Sequence, residues 1–126
     1  MNAPDERFGV ERIERMVETF YGKVRLDPEL GPIFEQRIEQ WPRHLARMVG
    51  FWRAVLRSEP TFAISERGAP PVLHRRIEEL TPAHFERWLA LFADVADATY
   101  EPEEADVVKG AARRIAAALS RHLRPL

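Results

Sequence analysis

The strongest constraint on this chain is the spacing of its apolar residues, which recur three or four positions apart in stripe after stripe, with X-Pro pairs marking the ends and beginnings of those stripes. Val10, Ile13, Met16, Val17, Phe20, Tyr21 and Val24 share one helical face, and Asp27-Pro28 closes that stripe because a residue before proline avoids helical dihedrals. No long run alternates apolar with polar residues, so the chain reads as all-α.

The remaining elements follow from the same signals. Leu30-Gly31-Pro32-Ile33-Phe34 opens a short helical turn. Trp41-Pro42 starts a second long helix, whose inward stripe is Trp41, Leu45, Met48, Val49, Trp52, Val55 and Leu56. Pro60, Gly68, Pro70 and Pro71 make the stretch from Ser58 to Pro71 a loop, with a short helix expected from about Val72 to Glu79. Thr81-Pro82 caps a third long helix carrying Phe85, Trp88, Leu89, Phe92, Val95, Ala96 and Thr99. Glu101-Pro102 begins the last helix, which is expected to reach about Leu123 with Val107, Ala111, Ile115, Ala118, Leu119 and His122 turned inward.

At 126 residues the chain is expected to form one domain over 1–126. Nineteen Lys and Arg against twenty Asp and Glu leave a net charge of -1, which gives no general attraction to nucleic acid or to an anionic membrane. Without cysteine there can be no disulfide, thiolate nucleophile, iron–sulfur cluster or Cys-ligated zinc. Asp5 and Glu6 stand where a signal peptide needs basic and then apolar residues, so a cytoplasmic protein is expected.

No two of the histidines His44, His74, His84 and His122 stand four apart, as a helix-borne zinc site requires, and no nucleophile elbow, phosphate loop or dinucleotide fingerprint is present. What remains are polar groups on apolar helical faces. Tyr21 and Trp88 each need a partner for a buried donor, and taken singly each reads as a core residue bonded to backbone. His44 shares a face with Met48 and Trp52, while His74 borders the core after the proline-rich loop; a lone histidine in either place is usually structural.

Taken together these residues say more. Phe20-Tyr21, Val24-Arg25, Asp27-Pro28 and Leu30-Gly31-Pro32-Ile33-Phe34 are followed in register by Trp41-x-x-His44, Phe51-Trp52, Gly68-x-Pro70 and His74. His84-Phe85-x-x-Trp88-Leu89-x-Leu91-Phe92 completes the series, and the whole closely resembles the signature of the group III truncated haemoglobins over nearly all of the chain. The chain also lacks the Gly-Gly pairs that group III members typically lack.

The resemblance implies a truncated globin-like fold, a 2-over-2 helical sandwich around haem b (iron protoporphyrin IX), with His74 as the proximal iron ligand. It makes Tyr21, Trp88 and His44 the distal residues, His44 lying at the pocket mouth, and Phe34 the phenylalanine that packs on the porphyrin. Met48 is expected to face the distal pocket, with Phe51, Trp52, Leu73, Phe85 and Phe92 as pocket wall and core. Arg47, Arg75 and Arg76 are the nearest cationic candidates for the haem propionates. His84 is read as a surface or capping residue and His122 as terminal surface.

On this resemblance the expected ligands are dioxygen, carbon monoxide and nitric oxide at a five-coordinate iron. Two distal donors would hold dioxygen tightly, which suits redox use, such as nitric oxide oxidation or peroxide turnover served by a reductase partner, better than bulk transport. Two other readings compete with this one. A haem-free helical interaction module explains the helices but not the joint placement of His74, Tyr21 and Trp88, and a haem-based gas sensor would need a separate output partner.

Overall fold

The computed structural model describes residues 8–60 and 81–123, which form five helices and, among the described residues, no strand. They are α1 (Val10–Leu26), α2 (Leu30–Arg37), α3 (Trp41–Arg57), α4 (Pro82–Thr99) and α5 (Pro102–Leu123). The all-α reading therefore holds, and α2 is a full eight-residue helix rather than a single turn. The short helix expected near residues 72–79 lies outside the described residues.

α1 is the central element: α2, α3 and α4 all pack on it, while α5 packs on α4. Its apolar stripe buries Ile13, Met16, Val17, Phe20, Tyr21 and Val24. Glu11 in its first turn and Lys23 and Arg25 in its last complement the helix dipole. Asp27 ends it in extended backbone, as Pro28 requires, and then turns its carboxylate onto the next segment. Asp27 Oδ2 accepts from the backbone N–H of Glu29 at 3.0 Å and of Leu30 at 2.8 Å, which fixes the entry to α2. The corner is so tight that a Cβ on Gly31 would lie 2.6 Å from the carbonyl oxygen of Arg25, so only glycine fits there.

α4 starts from a capping box, in which His84 N–H reaches the Thr81 hydroxyl and the Thr81 N–H donates to His84 Nδ1 at 3.0 Å. His84 is thus a capping residue, as its position implied. α5 meets α4 through Ala105, Val108, Ala111, Ala112 and Ala116, all buried, and these small side chains let the two helices approach closely. Phe20, Phe92, Ile13, Met16 and Leu30 are the largest side chains wholly removed from water.

Two inward assignments need correction. Val107 is 45% exposed and Val55 40% exposed. In α5 the buried seam runs through Ala105, Val108 and Ala112, one position away from the face that Val107 occupies, so a valine chosen for bulk stands outside a seam built of alanines. In α3 the buried position is Trp52, three residues before Val55, and it is Leu56, not Val55, that reaches the core in the last turn. Conversely, Phe8 and Tyr100, which no stripe includes, are buried and pack edge to face at 5.7 Å. Ala118 is half-buried, and the side chains of Leu119 and His122 lie outside the described residues.

Candidate functional site

α1 and α3 bring three polar aromatic side chains into one cluster. Because Phe20 and Tyr21 are successive residues, they splay to different sides of the buried stripe of α1, still in edge contact at 5.0 Å. Tyr21 turns toward α3, where its ring meets His44 edge to face at 4.9 Å and 88° and Trp41 at 6.0 Å. Trp41 and His44, three residues apart on α3, meet at 5.7 Å and 89°. Phe34 of α2 closes the cluster with its ring 6.3 Å from Tyr21.

Trp88 also meets Phe20. Its ring stands edge to face on Phe20 at 5.3 Å and stacks on Phe92 at 5.6 Å, and Phe92 in turn stacks on Trp52 at 5.1 Å. Phe20 therefore touches both Tyr21 and Trp88. The structure brings together Tyr21, His44, Phe34 and, through Phe20, Trp88 and Trp52. Met48 and Phe51 are half-buried on α3 against the same core, and Arg47 beside them is half-buried too. Phe85 is buried with Ile33 and Ala116, a neighbouring cluster that also touches Trp88. His74, Leu73, Arg75 and Arg76 lie outside the described residues.

The electrostatics of the cluster favour neutral donors. Burial pushes the Tyr21 phenol well above its ordinary range, with neither hydrogen bond nor neighbouring charge among the causes, so the side chain keeps its O–H. The indole Nε1 of Trp41 is enclosed by protein and has no hydrogen-bond partner among the described residues. Outside it, the Arg25 guanidinium lies 4.4 Å over the Trp41 ring, and Arg25 Nε donates to Glu35 Oε1 at 2.7 Å. This outer pair is about half exposed, so it adds little to stability while it covers the ring.

One more contact ties the two sides of the cluster. Arg87 Nε donates to Asp27 Oδ1 at 2.6 Å, linking the α1–α2 corner to the residue preceding Trp88. Burial alone would raise the Asp27 carboxyl, but the Leu30 N–H, the Arg87 guanidinium and the Glu29 N–H outweigh it and hold the group below the usual carboxylate range.

Sequence reasoning passed over Trp41, Arg25, Asp27 and Arg87 as site residues. Arg25 stands four residues after Tyr21 on one helix, a spacing that could have placed it beside the cluster. Nothing local announces a pair between residues 27 and 87.

Comparison with known proteins assigns this arrangement to a family. The bacterial-like globin family model matches residues 5–119. The Group 3 truncated hemoglobin ctb of Campylobacter jejuni is 34% identical over 115 residues, covering 88% of this chain and 87% of its own. The Group 2 truncated hemoglobin YjbI of Bacillus subtilis is 30% identical over 97 residues, 76% of this chain and 70% of its own. Among experimental structures, the group III truncated hemoglobin from Campylobacter jejuni superposes with a TM-score of 0.86 at 32% identity, covering 97% of this chain and 96% of that one. The chain belongs to the bacterial-like globins and, among them, to the group III truncated haemoglobins.

Proposed function

We propose that this haem-binding globin carries haem b against α3, with His74 as the iron ligand and Tyr21, His44 and Trp88 as the distal side of the pocket. Its use is redox chemistry on dioxygen with nitric oxide, or on peroxide, with a reductase partner, rather than bulk oxygen transport. The observation that carries this reading is the convergence of Tyr21 and His44 at 4.9 Å, with Tyr21 and Trp88 both in contact with Phe20.

The described residues fit a large planar apolar group. α3 buries only Trp52 fully, and Leu45, Met48, Val49 and Phe51 stay half-buried although they pack against a closed core. The enclosed, partnerless N–H of Trp41 adjoins that same face, the kind of loose end that an incoming polar ligand satisfies. When bound, haem supplies an iron position open to small gaseous ligands and able to exchange an electron. His74 would ligate its iron, Phe34, Met48, Phe51, Trp52, Leu73 and Phe85 would wall it, and Arg47, Arg75 and Arg76 would receive the propionates.

The chain's own part is to orient donors. The Tyr21 hydroxyl, kept protonated by burial, and the Trp88 indole each offer one hydrogen bond to a ligand oxygen that gathers negative charge. At about 1–1.5 kcal/mol apiece, two such bonds would slow dioxygen release roughly a hundredfold. Slow release defeats transport and favours reaction in place. His44, packed edge-on against both Tyr21 and Trp41, sits beside these donors at the mouth.

Absorption spectra of the purified protein in ferric, dithionite-reduced and carbon-monoxide-bound forms test the reading. A strong band near ~400–420 nm that moves at each step is expected, and it should disappear in His74→Ala. Tyr21→Phe should raise the dioxygen dissociation rate about tenfold. A protein that shows no such band after haem is added back is not the proposed haem protein, and the interaction module becomes the better account.

A further inference from the structure

The indole N–H of Trp41 is an enclosed donor with no partner, in a chain whose other distal donors it touches. A buried N–H left unpaired carries its full desolvation penalty, so native structures nearly always satisfy it. Trp41 is also not free to swing out to water. Tyr21 and His44 press on its ring from within, at 6.0 and 5.7 Å, while the Arg25 guanidinium covers it from outside at 4.4 Å, held by Glu35. Three helices thus fix a donor for which the described residues provide no acceptor.

We propose that Trp41 is a further ligand-binding residue of this pocket, whose indole N–H donates to a polar oxygen of the bound small molecule, directly or through one water, alongside Tyr21 and His44. The proposal rests on reading Tyr21 as a distal donor. The class of ligand it favours is one with an acceptor oxygen that gathers negative charge, dioxygen above carbon monoxide. Arg25 and Glu35 act on Trp41 from outside the pocket and do not touch the ligand.

Trp41→Phe keeps a flat ring between His44 and Arg25 and removes the N–H together with one ring of the bicycle. In the haem-loaded protein it is expected to raise the dioxygen dissociation rate about fivefold to tenfold, to leave carbon monoxide release within about twofold, and to raise the C–O stretching frequency of the carbon-monoxide form. Arg25→Gln, which uncovers the ring but spares the N–H, should leave dioxygen release within about twofold of the parent; an increase matching that of Trp41→Phe would trace the effect to ring placement and overturn the proposal. An unchanged rate and stretch in Trp41→Phe, with Tyr21→Phe moving both, would remove Trp41 and leave the distal reading standing. If Tyr21→Phe moves neither, the distal reading itself fails. Should Trp41→Phe not load haem, the parent protein decides: its Trp41 indole N–H resonance shifts when dioxygen replaces carbon monoxide, and a resonance that stays put overturns the assignment.

Discussion

α1 and α3 are both 17 residues long, both amphipathic, and packed on one another, yet they are buried to very different degrees. α1 closes six side chains against the rest of the protein; α3 closes one. The difference does not lie in how apolar the two stripes are, since Leu45, Met48, Val49, Phe51 and Trp52 are as suited to a core as Ile13, Met16, Val17 and Phe20. It lies in the partner. α1 is surrounded by protein on its apolar side, whereas the described residues leave the face of α3 half-covered, and under the proposed function haem completes it. On that reading, a half-buried apolar face beside the unpaired Trp41 N–H is how the proposed pocket differs from a core.

The largest effect expected from this contrast is a local one. Haem present at a thousandfold excess over its dissociation constant is worth about 4 kcal/mol to the folded state. Hydrogen exchange with and without haem should show that protection falling on α3 far more than on Ile13–Val24 of α1. Equal losses in both helices would erase the distinction.

A smaller effect sharpens it. In the haem-free protein, Ile13→Ala should cost about 2–5 kcal/mol in denaturant unfolding, because Ile13 is fully enclosed. Leu45→Ala, at a half-buried position of α3, should cost less than about 1.5 kcal/mol, and its cost should grow once haem is loaded. A Leu45 variant already as damaging as Ile13→Ala would mean that α3 is packed without the cofactor.

The smallest concerns the corner where α1 ends. Because the folded Asp27 carboxyl titrates below its ordinary range, it contributes stability that is complete above that range and is lost as pH falls through the folded value. Asp27→Asn should be about 1 kcal/mol less stable than the parent at neutral pH, with the gap closing below about pH 4 in acid unfolding curves. A gap independent of pH would show that the carboxylate charge is not what holds Arg87.

Most of the fold was legible because it depends on local signals: apolar period, X-Pro stops and the Thr81 cap each act within a few residues. The distal residues Tyr21, His44 and Trp88 were legible only because their order matched a family signature, since each alone reads as an ordinary core residue. Val107 was misplaced because a period fixes a stripe only to within a residue, and the alanine seam beside it carries a weaker hydrophobic signal than the valine. Trp41 was read as core for the same reason as Tyr21; only its enclosed, partnerless nitrogen, a property of three-dimensional surroundings, marks it out. The Asp27–Arg87 bond was beyond any local reading.

That bond joins residues sixty positions apart and so ties α1 to α4 across everything that lies between them in the chain, including α2 and α3. The entropy of closing such a span grows only logarithmically, about 0.6 kcal/mol for each doubling of length. Residues added between α3 and α4 should therefore weigh little on the closure, while the corner that supplies Asp27 has no room even for a methyl group at Gly31. Room for insertion and want of room for a single methyl group are thus both properties of the span that one ion pair closes.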